Sequence, residues 1–441
     1  MPKYHIITYG CQMNKSDSEK VAGILESLGY IPSEKMEEAD LILLNTCSVR
    51  ERAEEKVFGK LGELRKLKKK NQKLLIGIFG CMAQRMKEEL IEKFPHVDFV
   101  LGSYKFTELP KVLESLNDNN KKIVLAEDNP KPEEVDFRII RRENKFQAWI
   151  PIIYGCNNFC TYCIVPYLRG KEKSRDPQEI IKEIEHLANQ GVVEVTLLGQ
   201  NVDSYGKDLG NVDLADLLVE IHKIPGIKRI RFLTSHPRDV SDKLINVVAT
   251  HPKICPHWHL PLQAGSDRIL RRMGRGYTYN EYKALIEKIR AKIPRASFST
   301  DIIVGFPGEE EEDFLATRRA LEEIKFDTVN LAIYSKRPGT PAASYDDPVP
   351  YETKKKWFDE LENLQRKIIY ERNLSMIGKE ELVLAEGVNP KNPKELSGRT
   401  ENYRLVFFEA DRKLIGKFLL VRIIEARLWS LRGEAIREVD L

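Results

Sequence analysis

The chain has 441 residues, 42% of them hydrophobic and 31% charged, and 71 Lys and Arg against 67 Asp and Glu leave a net charge of +4. That length suggests two or three domains, and the composition is that of a soluble globular protein, while the charge is too small by itself to argue for nucleic acid. The start, Met1-Pro2-Lys3-Tyr4-His5, lacks the basic-then-apolar pattern of a signal peptide, and no apolar run approaches the roughly 20 residues of a membrane span. The expectation is a cytoplasmic protein with no membrane association, in which seven cysteines read as metal ligands or catalysts before disulfides.

Residues 1–145 alternate short apolar segments with charged, helix-patterned ones. Strands are expected at 5–9, 40–45 and 74–79, and helices at 16–28 and 48–67. This alternation predicts a doubly wound parallel sheet. Each strand runs directly into a cysteine: Tyr9-Gly10-Cys11, Asn45-Thr46-Cys47 and Phe79-Gly80-Cys81. Ligands of such sheets bind at the carboxyl ends of the strands, so Cys11, Cys47 and Cys81 should meet at one edge. Three convergent thiolates suit an iron–sulfur cluster, whereas zinc would want a fourth ligand. A basic run, Lys60, Arg65, Lys66, Lys68, Lys69, Lys70 and Lys73, reads as a solvated helix face.

Residues 117–136 read as a polar linker, with Asn117-Asp118-Asn119-Asn120 and Pro130-Lys131-Pro132-Glu133-Glu134. A strand at 148–154 then feeds Cys156-Asn157-Asn158-Phe159-Cys160-Thr161-Tyr162-Cys163, a C-x3-C-x2-C loop. Three thiolates on one loop can hold three corners of a 4Fe–4S cubane and leave the fourth iron open for the amino and carboxylate groups of S-adenosylmethionine. A structural zinc site would need two cysteine pairs or a histidine nearby; the next cysteine is Cys255, which reads as a buried structural residue. The loop resembles that of the radical S-adenosylmethionine enzymes, whose cofactor carries the hard chemistry. Further strands are expected at 194–198, 229–233, 257–262, 299–304 and 328–334, and helices at 177–190, 214–224, 241–250, 279–291, 309–324 and 352–373. Six βα units make an open (βα)6 partial TIM barrel with the cysteine loop at its catalytic face. A second basic run, Arg268, Arg271, Arg272 and Arg275, again reads as a solvated face. From residue 376, short strands at 381–385, 403–408 and 417–424 suggest a small β-barrel.

Taken together, the strand-end cysteines, the radical-type loop and the β tail resemble the radical S-adenosylmethionine methylthiotransferases over essentially the whole chain. The tail is similar to their TRAM domain, an RNA-binding β-barrel, most clearly at Gly398-Arg399-Thr400-Glu401-Asn402-Tyr403. Three segments resemble the tRNA-2-methylthio-N6-dimethylallyladenosine synthase branch: Gly10-Cys11-Gln12-Met13-Asn14, Asn45-Thr46-Cys47-Ser48-Val49-Arg50 and Gly80-Cys81-Met82-Ala83-Gln84-Arg85. So does Gly199-Gln200-Asn201-Val202-Asp203-Ser204-Tyr205-Gly206, where the branch more often has Asn in place of Asp203. The resemblance implies domains at 1–145 (methylthiotransferase α/β), 146–373 (radical barrel) and 376–441 (TRAM-like).

The implied reaction adds a methylthio group to C2 of N6-isopentenyladenosine at tRNA position 37. One S-adenosylmethionine methylates sulfur on a second 4Fe–4S cluster, and another is cleaved to a 5′-deoxyadenosyl radical. Implied ligands are Cys156, Cys160 and Cys163 for the radical cluster and Cys11, Cys47 and Cys81 for the sulfur-carrying one. Implied cofactor contacts are Tyr162, Gln200, Asn201, Gln263, Asp301 and Gly305, the last two in Asp301-Ile302-Ile303-Val304-Gly305-Phe306-Pro307-Gly308-Glu309. Implied partners are the anticodon loop of tRNA and an electron donor such as flavodoxin or ferredoxin. The family also contains branches that methylthiolate a ribosomal-protein aspartate or threonylcarbamoyl adenosine, and a non-catalytic RNA-binding iron–sulfur protein is the reading from another class. Arg169 and Arg175 suit bidentate contact with phosphate or carboxylate, or surface ion pairs. His257 and His259 face one side of a strand as barrel lining, and His236 closes a strand near the expected site.

Overall fold

A computed structural model describes residues 1–48, 51–118 and 121–441, without the side chains of 51–53 and 117–118. Val49, Arg50, Asn119 and Asn120 of the motifs above lie outside the described residues. The N-terminal unit runs β1 (Lys3–Thr8), α1 (Gln12–Ser27), β2 (Ile31–Pro32), β3 (Leu41–Thr46), α2 (Glu51–Lys70), β4 (Leu75–Gly80), α3 (Cys81–Met86), α4 (Glu88–Lys93), β5 (Phe99–Leu101), α5 (Leu109–Asp118) and β6 (Ile123–Leu125). All six strands are parallel, in the order β2-β1-β3-β4-β5-β6. Every residue of β3 is buried, as a central parallel strand covered on both faces requires. Separate apolar clusters cover the faces, one around Leu41, Leu43, Phe79 and Phe99 and the other around Ile42, Leu44, Ile76 and Ile78. The expected polar linker is partly structured: it contains β6, the sheet's sixth strand. The stretch after it lies flush on α1, where Gly23 leaves no room for a side chain, since a Cβ there would stand 2.0 Å from the Ile139 carbonyl oxygen.

The central unit continues with β7 (Gln147–Pro151), β8 (Ile153–Tyr154), α6 (Val165–Arg169), β9 (Lys173–Ser174), α7 (Pro177–Asn189), β10 (Glu194–Leu198), α8 (Leu214–Lys223), β11 (Arg229–Leu233) and α9 (Asp242–Thr250). It then adds β12 (His257–His259), α10 (Asp267–Arg272), α11 (Tyr279–Lys292), β13 (Ser297–Val304), α12 (Glu311–Ile324), β14 (Thr328–Ile333) and α13 (Tyr351–Leu374). The strands form two parallel arcs, β7-β10-β11 and β12-β13-β14, joined by a lone bridge between Ile230 and Ile254. This is the expected open six-stranded barrel, with its core between the strands and the outer helices. Side-chain caps start the helices: Asp176 caps α7, and capping boxes open α8 and α11.

The last unit is a closed five-stranded barrel, β15 (Glu380–Asn389), β16 (Asn392–Thr400), β17 (Leu405–Glu409), β18 (Phe418–Ala426) and β19 (Leu431–Val439), in the order β15-β16-β17-β19-β18. Its rim covers the N-terminal ends of the central strands. Arg229 donates to the Arg399 and Leu382 carbonyls at 2.9 and 3.0 Å, and Arg231 donates to the Glu401 and Thr400 carbonyls at 2.8 and 2.7 Å. Tyr403 stacks on His257 with ring centroids 5.4 Å apart, and Arg404 pairs with Asp327, just ahead of β14. Glu194, the first residue of β10, supplies the buried counter-charge to Arg229 and Arg231, at 3.5 and 3.1 Å. Among the described residues no helix is long and apolar enough to cross a membrane.

Candidate active site

The first cysteine triad ends three adjacent strands. β1, β3 and β4 run side by side, so Cys11, Cys47 and Cys81 leave the sheet at one edge. Two glycines bring them close. Gly10 and Gly80 have φ of +121° and +97°, a region that penalises other residues. A Cβ on Gly10 would come within 2.8 Å of the Cys47 Cβ, and one on Gly80 within 2.7 Å of the Thr46 carbonyl oxygen. Asn14 ties the strand ends together. Its Nδ2 donates to the Tyr9 carbonyl, to Asn45 Oδ1 and to the Thr46 carbonyl at 2.9, 3.0 and 3.1 Å, and the Cys11 thiol donates to its Oδ1 at 3.6 Å. Cys11 is exposed at the mouth, while Cys47 and Cys81 are buried.

The second triad lies just past β8. Gly155, at φ +70° and with the Lys171 carbonyl oxygen 2.2 Å from where its Cβ would be, turns the chain into the loop. The Cys163 amide donates to the Cys160 carbonyl, and the loop is pinned to the barrel by Thr161, whose amide donates to the Met273 carbonyl, both at 2.9 Å. Arg275 is buried beneath it and its three nitrogens are all engaged. Nη1 donates to Cys160 Sγ at 3.3 Å, Nη2 to the Pro261 carbonyl at 2.9 Å, and Nε to the Tyr277 hydroxyl at 2.9 Å. Burial, together with Glu172 and the Cys160 thiol, pushes the Cys156 thiol up to about 11, and burial with its two neighbouring loop thiols pushes Cys163 to about 12. Without a metal these groups are protonated, so loading must release their protons.

Short helix α6 joins the two triads. It begins two residues after Cys163 and ends at Arg169, whose Nε donates to Cys81 Sγ at 3.3 Å and whose Nη2 donates to Asp17 Oδ2 and Asn14 Oδ1 at 2.9 and 3.3 Å. Ile164 and Leu168 of this segment pack on Cys81. Arg169 is therefore no surface ion pair but a buried link between the triads. Arg175 is also buried, held by Glu183 and the Pro151 carbonyl, each at 2.8 Å, so it does not meet an external phosphate. In the second basic run Arg268, Arg271 and Arg272 are exposed, Arg268 pairing with Asp313 and Arg272 donating to the Pro307 carbonyl at 2.7 Å, and only Arg275 departs from a solvated face by lying in the interior. In the first run Lys68 is spent on Asp98 at 2.8 Å.

The remaining candidates lie along the carboxyl ends of the central strands. Tyr162 meets Phe306 edge to face at 6.5 Å. Gln200 is partly exposed. Asn201 is buried, with Nδ2 on Ser204 and Asp239 at 2.6 and 2.7 Å and its Oδ1 without a partner. Gln263 adopts φ +74°, strained for a residue with a side chain, while its backbone bridges to β13. Asp301 accepts from Asn330 at 2.8 Å and lies 3.4 Å from His259. Gly305 needs to be glycine, for at φ +71° its Cβ would stand 2.3 Å from the Lys354 side chain. Two buried carboxyls are raised to about 7, chiefly by burial: Asp203, which accepts from Ser235 Oγ and the His236 amide at 3.1 Å each, and Glu309, which caps the Gly305 turn. His236 is held neutral by burial and by Arg275. His257 and His259 bond Ser297 and Ser299 at 2.8 and 2.9 Å, which makes them barrel lining, and Cys255 is buried as expected. Arg275 and the bridging position of Arg169 are what sequence reasoning missed; their only signal was a basic residue close to the loop in one case and within an arginine run in the other.

Among the described residues no three His, Cys, Asp or Glu side chains are grouped to hold a single metal ion. The donor sets nevertheless fit cysteine-ligated clusters: each triad is all thiol, each is brought together by a positive-φ glycine turn, and each has a guanidinium on one sulfur, the kind of hydrogen bond that tunes such clusters.

Three family models match the chain: Uncharacterized protein family UPF0004 over residues 3–102, the Radical SAM superfamily over 150–321 and the TRAM domain over 374–436. The tRNA-2-methylthio-N(6)-dimethylallyladenosine synthase of Dictyoglomus thermophilum is 89% identical over 100% of both chains, and that of Carboxydothermus hydrogenoformans is 51% identical over 98% of both. Among solved structures, the radical S-adenosylmethionine methyltransferase TsrM of Kitasatospora setae superposes with a TM-score of 0.56 at 14% identity, covering 78% of this chain and 77% of that one; at that identity the likeness is one of fold. The full-length match to curated relatives, together with the radical and TRAM domains, shows that the chain belongs to the tRNA-2-methylthio-N(6)-dimethylallyladenosine synthase family of radical S-adenosylmethionine methylthiotransferases.

Proposed function

We propose that this chain adds a methylthio group to C2 of N6-isopentenyladenosine at position 37 of tRNA, through units at 1–145, 146–373 and 376–441. The observation that carries this reading is the pair of cysteine triads joined by α6, one at a radical-type loop and one at the edge of a separate sheet. When bound, a 4Fe–4S cluster on Cys156, Cys160 and Cys163 supplies the electron that cleaves S-adenosylmethionine, and one on Cys11, Cys47 and Cys81 supplies the sulfur. The chain's own residues do the rest. Arg275 sets the field at the loop by donating to Cys160. Tyr162, backed by the buried ring of Phe306, offers a face against which the adenine of S-adenosylmethionine would lie. Gly305 keeps the backbone clear for the adenosine, and Gln200, Asn201 and Gln263 beyond the strand ends, with Asp301 inside β13, offer polar groups to the methionine. Asn201 Oδ1, buried and unpartnered, is suited to accept from an ammonium group.

Adenine C2 has no acidic proton or leaving group, so acid–base groups have little purchase on it and positioning becomes the protein's task. An unstacked loop base is recognised by stacking and edge contacts. Phe159 and Tyr167, exposed beside the cysteine loop and packed edge to face at 5.9 Å, offer such a surface for the anticodon loop, and the TRAM-like barrel offers a second contact with tRNA. The electron comes from a donor such as flavodoxin or ferredoxin. The test is anaerobic reconstitution with isopentenylated tRNA followed by nucleoside analysis. The methylthiolated nucleoside together with 5′-deoxyadenosine supports the reading; 5′-deoxyadenosine without modified nucleoside, under conditions where a positive control turns over, refutes it.

A further inference from the structure

Arg169 and Arg275 look alike in the structure, since each sends a guanidinium to a cysteine, yet they differ in one respect. Arg275 has a partner for each of its three nitrogens. Arg169 does not: it is 2% exposed and its Nη1 has no partner, nor does Oδ1 of Asp17, the carboxylate that balances its charge. A buried donor left unmade is costly, more so on a cation, and a short helix that needed only a domain contact could have ended in an apolar residue. The surroundings limit what the free donor can take. They are Cys81, Asn14, Asp17 and the Tyr104 ring, 5.5 Å from the guanidinium carbon, with exposed Cys11 at the mouth, its thiol also on Asn14.

We propose that Arg169 is the seat of the transferred sulfur, binding a small sulfur anion of the hydrosulfide or methanethiolate type at the Cys11–Cys47–Cys81 centre while its Nε holds Cys81. This rests on the reading of that triad as an iron–sulfur centre. It goes further in giving the sulfur a protein partner, and one carried on the helix that begins at the radical loop. A guanidinium suits the role because it stays charged at any working pH and presents several donors in a fixed plane, whereas a lysine would offer one mobile point charge.

The test uses full-length chains in which Cys156, Cys160 and Cys163 are Ala, so that the N-terminal centre alone contributes, with Arg169 retained, changed to Lys or changed to Gln. After anaerobic reconstitution and iron counting, methanethiolate and, separately, hydrosulfide are titrated while the reduced centre is followed by electron paramagnetic resonance and its midpoint potential is measured. The expected result is about four irons in each chain, binding of one or both anions weakened about tenfold or more by Arg169→Gln, the loss expected for a charge-assisted hydrogen bond, a smaller loss for Arg169→Lys, and a more negative midpoint for the Gln chain. Full iron with unchanged affinity and midpoint overturns the proposal alone, because a purely structural arginine would give that result. If Arg169→Gln does not take up iron, the Lys chain decides: affinity equal to the parent's overturns the proposal, and a loss supports it. A parent chain that binds no iron overturns the reading of the triad, and the proposal with it.

Discussion

Asp203 gives the most direct check on the electrostatics of the barrel's carboxyl face. It is 7% exposed, and burial raises its carboxyl from the ordinary 3.8 to about 7, with Asp239 adding to the rise. The folded chain thus keeps a proton that the unfolded chain releases near pH 4. Stability from this group is therefore intact below about pH 4 and is lost as pH climbs toward 7. Roughly three units at about 1.4 kcal/mol each make its ionisation cost the folded state about 4 kcal/mol at pH 8, some 3 kcal/mol of it accruing between about pH 5 and pH 8. Asn has no proton to lose, and it fits the same contacts: its Oδ1 can accept the His236 amide, and its Nδ2 can donate to Ser235 Oγ. Asp203→Asn, a neutral side chain at every pH, should raise stability by only about 1–2 kcal/mol at pH 5 but by about 4 kcal/mol at pH 8. The assay is urea unfolding at both pH values, followed by fluorescence, since Trp149, Trp258 and Trp357 belong to the barrel. Glu309, also held near 7 by burial, keeps its own pH dependence in both chains and serves as an internal reference. Parallel losses in wild type and Asp203→Asn between pH 5 and pH 8 would refute the reasoning. The result also bears on function: a neutral Asp203 does the hydrogen-bonding work of the Asn more often seen in this branch.

Three further outcomes follow from the geometry. Reconstituted wild type should hold about eight irons and the Cys156→Ala, Cys160→Ala, Cys163→Ala chain about four; about four falling to none would remove the second centre. Phe159→Ala or Tyr167→Ala should weaken binding of an anticodon stem-loop by about 1–3 kcal/mol, the worth of one base–aromatic stack, measured by fluorescence anisotropy at unchanged iron content. Glu194→Gln strips the counter-charge from Arg229 and Arg231, which are 2% and 4% exposed, and should cost about 3 kcal/mol; limited proteolysis should then release the C-terminal barrel, and resistance equal to wild type would count against this interface.

The alternation of strands and helices was legible because parallel strands buried on both faces are near-continuous apolar runs, as residues 41–44 of β3 and 75–79 of β4 are, and because helices such as α7, α8 and α11 carry side-chain caps. The helix expected at 177–190 runs Pro177–Asn189, set by Asp176 and Pro177 at its start. What failed to show was short or two-faced. β6 has three half-buried residues in a polar stretch. Strands β16 and β19 read Asn-Pro-Lys-Glu-Leu-Ser-Gly-Arg-Thr and Leu-Arg-Gly-Glu-Ala-Ile-Arg-Glu-Val, because a small barrel buries one face only and leaves the other charged. The cysteines were legible because thiol triads are rare and strand ends converge. The arginines were not, since a buried guanidinium and a solvated one are the same letter until the fold places Cys81 or Cys160 beside it.

The division of labour within the barrel follows from strand polarity. All six central strands point the same way, so their first residues gather at one mouth and the residues after their ends at the other. At the first mouth stand Gln147, Glu194, Arg229, His257 and Ser297, each within reach of the C-terminal barrel or of a residue that is. The charged groups of these residues are met by partners already in the chain, so this mouth acts as a joint, although Asn402 Oδ1 and Arg404 Nε beside it are also buried without partners. At the other mouth Asn201 and Arg169 each keep a buried polar atom without a partner, and Gln263 holds a strained backbone. Such incompleteness costs stability and persists in a fold only where something else completes it. Under the proposed function, substitutions at the two mouths should separate: lost stability at the joint, where Arg229, Arg231 and Glu194 are buried in ion pairs, and lost cofactor binding at the site.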